Sequence, residues 1–223
     1  MLRPVIYNPP THLKLDILYQ DNDLIALNKP SGLLSVPGRG DDKQDCMHSR
    51  LQLEHPRALV IHRLDMPTSG LILFALNKEM QKRMSMLFEK KQINKQYIAK
   101  VHGVLKDKKG TIDQPLITDW INRPRQKIDY KNGKQSKTKY TLISSDNNNT
   151  SIVMLEPVTG RSHQLRVHMS SLGHAILGDD IYGTYQSRNA SSRLLLHAEK
   201  INFIHPLTNK EINISCNVDF YEL

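Results

Sequence analysis

The sequence predicts an α+β chain built on a mainly antiparallel sheet. Seven β-type runs separated by turn residues carry most of that prediction: "DLIALNKP", "GLILFAL", "KQYIAKVHG", "KYTLISS", "SIVMLEPV", "LLLHAEKINFIHP" and "EINISC". Only two stretches show helical spacing, and they interrupt the runs without the regular strand–helix alternation of a parallel sheet. The 223 residues, 39% of them hydrophobic, suffice for one sizeable core or two small ones.

Each run is rich in Ile, Val, Leu, Tyr or Phe and is bounded by Gly, Pro, Asn, Asp or Ser, which punctuate strands. The first helical pattern is "KEMQKRMSMLFEKKQ", residues 78–92, where Met80, Met84, Leu87 and Phe88 make an apolar stripe with lysines opposite. The second is "SHQLRVHMSSLG", residues 162–173, with Leu165, Val167, His168, Met169 and Leu172 on one face and Gly173 as a stop. No internal repeat is visible, and "DNNNTS" is an exposed turn.

Net charge is +9, and its distribution is uneven. Residues 78–109 carry +7 and residues 121–140 carry +6, so the remainder sums to −4. Two basic stretches on a mildly acidic body suit a polyanion. A solvated lysine face explains the first stretch equally well. It explains "NRPRQKIDYKNGKQSKTK" poorly, because this stretch has no helical period and contains Pro124 and Asn132-Gly133; it reads as a basic loop or hairpin projecting from the body. Trp120 and Tyr130 lie in or beside it, and aromatics among basic residues suit unpaired bases.

Several chemistries are set aside. His163, His168 and His174 are five and six apart, the wrong spacing for one helical face, and neither HExxH nor a paired CxxC occurs, so no metal is expected. GxSxG and GxxxxGK[ST] are absent, and "DND" lacks the glycine of a calcium loop. Cys46 and Cys216 form no redox pair, no run approaches a membrane span, and the N-terminus lacks a secretory apolar region. A reducing, cytoplasmic setting is expected.

Three segments remain: "HRLDMPTSG", "NKQYIAKVHG" with Tyr97, and "TGRSHQLRVHM" with Arg161, His163 and Arg166. In isolation Asp65 and Thr68 could simply cap a turn. In this order, however, the segments resemble the motifs of the pseudouridine synthases, in particular the branch that includes the ribosomal large-subunit enzymes. The resemblance extends through "LNKPSGLLSVPG" and "RLLLHAE" and covers nearly the whole chain.

The chemistry implied by the resemblance explains the residue types. Converting uridine to pseudouridine breaks an N-glycosidic bond, turns the base and rejoins it to the ribose through C5. Nothing is oxidised, so no redox cofactor is required. A carboxylate acts as nucleophile or as base on the sugar, and a nearby arginine keeps it ionised. By resemblance Asp65 is the catalytic aspartate, Arg166 its basic partner, and Tyr97 the ring that stacks on the target base and assists proton removal from C5. Arg63 fills the space vacated in the RNA by the flipped base, or else binds phosphate. Leu195 and Leu196 resemble the apolar wall of the pocket, with an ordinary buried strand as the alternative. Thr68, Arg161 and His62 are grouped with the substrate-binding residues, although His62 and His163 also read as structural, since the reaction needs no histidine.

The first matching segment begins near Ile17, so residues 1–16 read as an N-terminal extension and no appended RNA-binding domain fits. The resemblance thus implies one catalytic domain over residues 1–223, acting as a monomer, with a long, bent sheet and an active-site cleft. It is closest to the short, dual-specificity type. The basic loop at 119–135, with Arg123, Arg125 and Lys127, would grip RNA stem-loops, in 23S rRNA and in the tRNA anticodon arm. The competing readings are a non-catalytic RNA-binding or ribosome-associated protein, which would leave RNA unchanged, and a nucleic-acid N-glycosidic hydrolase, which would release free base.

Overall fold

A computed structural model describes residues 7–11 and 14–221; of the predicted N-terminal extension, residues 1–6, 12 and 13 lie outside the described residues. Strands β1 (Ile17–Gln20) and β2 (Leu24–Lys29) are followed by helix α1 (Met47–Glu54), β3 (Leu59–Val60) and β4 (Ser69–Ala75). Helix α2 (Lys78–Glu89) leads to β5 (Asn94–His102), β6 (Lys109–Asp113), β7 (Leu116–Thr118), β8 (Gln126–Ile128), β9 (Lys137–Ser145) and β10 (Thr150–Pro157). Helices α3 (Gln164–Ser171) and α4 (Tyr185–Asn189) precede β11 (Leu196–Ile204) and β12 (Glu211–Ser215).

Ten strands form one sheet in the order β1-β2-β4-β11-β5-β10-β9-β6, with β12 beside β11 and β3 beside β4. The strands β7 and β8 form a separate hairpin. The pairings are antiparallel except where β4 meets β11, in parallel, through Ser69 opposite His197 and Gly70 opposite Ala198. That junction requires glycine: Gly70 has φ 102°, and a Cβ there would lie 2.4 Å from the Ala198 carbonyl oxygen. The sheet is the mainly antiparallel one that the sequence predicts, and each of the seven predicted runs holds one of its strands.

Two hydrophobic clusters flank the junction. One gathers Leu24, Ile25, Leu27, Ile72 and Phe74 from β2 and β4, Phe203 from β11, and Met80 and Met84 from α2. Both methionines are fully buried, each contributing roughly 1.5–3 kcal/mol, while the lysines of α2 face outward as its stripe predicts. The other cluster joins Ala99, Val101, Val153, Leu155 and Leu196 to Leu165 and Met169 of α3. Tyr97 packs against both clusters. Beside it the β11–β5 register shifts between Ala198 and Lys200, a bulge of the kind that bends a strand.

The differences from expectation lie at the element ends. Helix α2 stops at Glu89 rather than at 92, because Lys91 turns left-handed at φ 56°. Helix α3 begins at Gln164 because His163 is left-handed at φ 55°. Leu172, expected on its buried face, is 39% exposed just past the last turn.

Candidate active site

The segment from His62 to Thr68 enters β4 and is held in place by the chain from Lys29 to Ser35. Lys29 Nζ, fully buried, donates to the carbonyls of Pro30, Leu33 and Met66 at 2.9, 2.7 and 3.1 Å. Ser31 Oγ donates to Pro67 O at 2.7 Å, and Ser35 Oγ donates to Leu64 O at 2.7 Å while accepting the Leu64 N–H at 3.0 Å. Burial pushes the Lys29 ammonium down to about 7, against the charge of Asp65, and three carbonyl acceptors match the three protons of its charged form.

Within this segment the Asp65 backbone carbonyl closes the turn by accepting the Thr68 N–H at 3.1 Å. Its side chain does something else. The carboxylate points to Arg166, whose Nη1 lies 3.4 Å from Oδ2, and to His163, whose Nε2 lies 3.9 Å from the same oxygen. Asp65 and Arg166 are 101 residues apart in sequence. The turn-cap reading of this side chain is therefore superseded.

Arg166 is 3% exposed on α3 and is aligned by Asp179, which is 1% exposed. Nε and Nη2 donate to the two Asp179 oxygens at 2.8 Å each. Asp179 Oδ1 also accepts the N–H groups of Ile181 and Tyr182 at 2.9 and 3.0 Å. Burial disfavours both charges. The paired charge and the hydrogen bonds outweigh it, holding the Arg166 pKa above and the Asp179 pKa below their ordinary values.

Tyr97 lies on β5, paired with Ala198 of β11 and Leu155 of β10, at the seam of the two cores. Burial and then the Asp65 charge raise the pKa of its phenol, so it is neutral at physiological pH. Asp65, in the segment entering β4, thus meets Arg166 of α3, and its charge acts on Tyr97 of β5.

The other predicted residues divide. Arg63 is exposed beside Asp65 and has no hydrogen-bond or ion-pair partner among the described residues. His62 faces the protein instead: Nε2 accepts the Leu73 N–H at 2.9 Å and its ring lies 5.0 Å from that of Phe88. Burial, then the Lys95 charge, push His62 down to about 3. Thr68, grouped with the substrate-binding residues by the sequence reading, is 3% exposed and contributes its backbone. Leu196, read as pocket wall, is a core residue of the second cluster, because it alternates with the half-buried Leu195 along the chain entering β11. Arg161 is exposed, with Nε donating to Gln135 O at 3.2 Å.

The predicted basic projection is the β7–β8 hairpin and the turn after it. Trp120, Ile121 and Tyr130 are 66%, 93% and 75% exposed there. The Arg123 guanidinium carbon stands 3.4 Å from the Trp120 ring centroid, and that of Arg125 stands 5.5 Å from the Tyr182 ring. Lys127 is exposed on β8.

Sequence reasoning passed over Asp179, Tyr182 and Lys29. "GDDIYG" reads as a turn, and only its pairing with Arg166 distinguishes it. Among the described residues, Asp21, Asp23 and His205 have ligand atoms within 4.8 Å of one another. His205 Nδ1, however, accepts the N–H groups of Leu207 and Thr208 at 3.3 and 3.1 Å, which puts the neutral ring's proton on Nε2, toward Asp21 Oδ2 at 3.3 Å.

A carboxylate held against a buried arginine, with a tyrosine at the seam of a mainly antiparallel sheet, fits one enzyme family. The family model for RNA pseudouridylate synthase matches residues 23–171, and the chain belongs to that family: it is a pseudouridine synthase, an isomerase. More particularly, it is similar to the dual-specificity RNA pseudouridine synthase RluA of Escherichia coli (strain K12), with 46% identity over 214 residues, 96% of this chain and 98% of that protein. RluA of Vibrio parahaemolyticus (serotype O3:K6) is 48% identical over 219 residues, covering 96% of this chain and 88% of its own. Among solved structures, human RNA pseudouridylate synthase domain containing 1 superposes with TM-score 0.77 at 28% identity, covering 94% of this chain and 86% of that one. Human RNA pseudouridylate synthase domain containing 4 gives 0.73 at 25%, covering 92% and 89%. Among the described residues no helix is long and apolar enough to cross a membrane.

Proposed function

We propose that this enzyme isomerises a specific loop uridine, in 23S rRNA and in the tRNA anticodon arm, as a single catalytic domain acting as a monomer in the cytoplasm. The dual specificity in the names of its RluA relatives supports two RNA classes. Asp65 is the carboxylate that opens the glycosidic bond, Arg166 is the basic partner that holds its geometry, and Tyr97 stacks on the uracil and assists removal of the C5 proton. Arg63, free of protein partners among the described residues, occupies the space that the flipped uridine leaves, and Leu195 lines the pocket. The hairpin with Arg123, Arg125 and Lys127 grips the stem.

The observation that carries this reading is the approach of Asp65 to Arg166, 3.4 Å across 101 residues of sequence, with the carboxylate committed to no backbone group among the described residues. A new bond at C5 displaces the hydrogen there, so RNA tritiated at C5 of uridine will release label to water without strand cleavage. Stem-loops with a loop uridine will release it, and the same uridine in a full duplex will not, since extruding a paired base costs several kcal/mol. Free uracil would indicate hydrolysis, and no release from any RNA would indicate binding alone.

A further inference from the structure

Tyr182 joins four parts of the site. Its N–H donates to Asp179, its ring lies 5.2 Å from the Arg166 guanidinium carbon and 5.5 Å from that of Arg125, and its carbonyl accepts Ser170 Oγ of α3 at 3.0 Å. Its hydroxyl oxygen is 2.7 Å from both His163 Nδ1 and the Gln126 backbone nitrogen of β8.

The direction of these bonds follows from the groups. A backbone N–H only donates, so Tyr182 Oη accepts from Gln126, which leaves its own proton free for His163 Nδ1 when that nitrogen is the acceptor. An imidazole whose Nδ1 accepts carries its proton on Nε2 when neutral. Nε2 is the atom that faces Asp65 Oδ2 at 3.9 Å. In that tautomer a line of donors runs from the hairpin through Tyr182 to His163, with Nε2–H turned toward the carboxylate. Burial, with the Arg166 charge, keeps His163 neutral against Asp65 and Asp179, and burial lifts the Tyr182 phenol to about 12, so it retains its proton. The left-handed backbone of His163, φ 55°, sets the ring at the N-terminus of α3.

We propose that Tyr182 is a positioning residue that couples the β7–β8 hairpin to Asp65: it fixes His163 as the Nε2–H tautomer, and RNA seated on the hairpin draws that donor onto the carboxylate. The inference rests on the reading of Asp65 as the catalytic carboxylate. The separation exceeds a hydrogen bond by about 1 Å, a gap of the kind that closes in substrate complexes. An enzyme so built discriminates among RNAs at the chemical step: a uridine whose stem does not seat on the hairpin meets Asp65 with Arg166 alone, and reacts slowly even when bound.

Imidazole nitrogen NMR on the labelled full chain reads the tautomer directly, with His163→Gln assigning the signal. Wild type should show protonated Nε2 and accepting Nδ1, and an anticodon stem-loop should move the Nε2 proton downfield. Tyr182→Phe should shift the ring toward the Nδ1–H form and lower kcat on the stem-loop about ten- to a hundred-fold, with KM within about two-fold. Tyr182→Phe combined with His163→Gln should lose no more than the worse single variant. A wild-type Nδ1–H tautomer, an Nε2 proton indifferent to RNA, or Tyr182→Phe with kcat within about two-fold of wild type would each overturn the proposal. The first two readouts are taken on wild type, and His163→Gln serves only to assign the signal. Wild type releasing no tritium from any RNA would instead sink the Asp65 reading, while the tautomer would still decide the role of Tyr182.

Discussion

Arg166 meets Asp179 through two hydrogen bonds of 2.8 Å each, and this leaves Nη1 as the guanidinium nitrogen that reaches Asp65, 3.4 Å away. One carboxylate thereby aims the arginine that serves the other. Asp179→Asn keeps the shape but removes the charge opposite a buried guanidinium, a change that costs about 3–5 kcal/mol when one partner of a buried pair is removed. Urea denaturation should report that destabilisation, and tritium release should fall at least about ten-fold with little change in RNA affinity. Unaltered stability and turnover would remove Asp179 from the alignment of Arg166.

Asp65→Asn preserves size and most of the hydrogen bonding while removing the negative charge. The variant should fold, bind stem-loops as wild type does in a gel-shift titration, and turn nothing over. Retention of even about a tenth of wild-type turnover would be incompatible with a carboxylate essential to bond cleavage. Tyr97→Phe should keep the stacked ring and lose more in kcat than in affinity.

The pH dependence of stability should carry the signature of His62. Unfolded, this imidazole takes up a proton below about 6.5. Folded, with Nε2 accepting the Leu73 N–H, it resists protonation until about 3. Between those values the unfolded state binds more protons, so stability rises with pH and is lost on acidification, by up to about 1.4 kcal/mol per pH unit for this one group. His62→Gln, whose amide oxygen can accept the same N–H, should flatten the acid limb of the urea midpoint. An equal slope in both proteins would mean that folded His62 does carry a proton.

The hairpin cations should appear in the salt dependence of RNA binding. Replacing Arg123, Arg125 and Lys127 with serine should lower the slope of log K against log salt by roughly 0.7 to 0.9 for each phosphate that is no longer neutralised. Arg123 lies over Trp120 and Arg125 near Tyr182, so Lys127→Ser alone tests charge with the least effect on ring packing. A slope unchanged by all three replacements would assign these charges to solubility.

What the sequence made legible follows physical range. β-type runs bounded by turn residues and the Met80, Met84 stripe are local signals, and they placed seven strands of the sheet and α2. The short β1 and β6, and the helices α1 and α4, carry too few periodic residues to stand out; α1 is fixed by Cys46 Sγ, which accepts the Ser49 N–H at 3.3 Å. For the site, Asp65, Tyr97 and Arg166 were legible as types in matching contexts. Asp179 was not, since an acid in a Gly-Asp-Asp turn gives no hint of the guanidinium it faces. Nor was the inward turn of Leu196, because which of two adjacent leucines faces a pocket depends on the strand's register.

The parallel seam of β4 and β11 has a consequence for the life of the chain on the ribosome. Strand β11 is the penultimate described strand in sequence yet lies mid-sheet, between β4 and β5. Ser69 Oγ and His197 Nδ1, 2.9 Å apart across that seam, are separated by 128 residues. During synthesis β4 and β5 must therefore wait, each with an unsatisfied edge, until β11 has emerged. Closure over so long a separation is slow, and the waiting intermediate is a natural client for chaperones. The segment carrying Asp65 enters β4 and Tyr97 lies on β5, so the two are set relative to one another only when β11 slots between those strands.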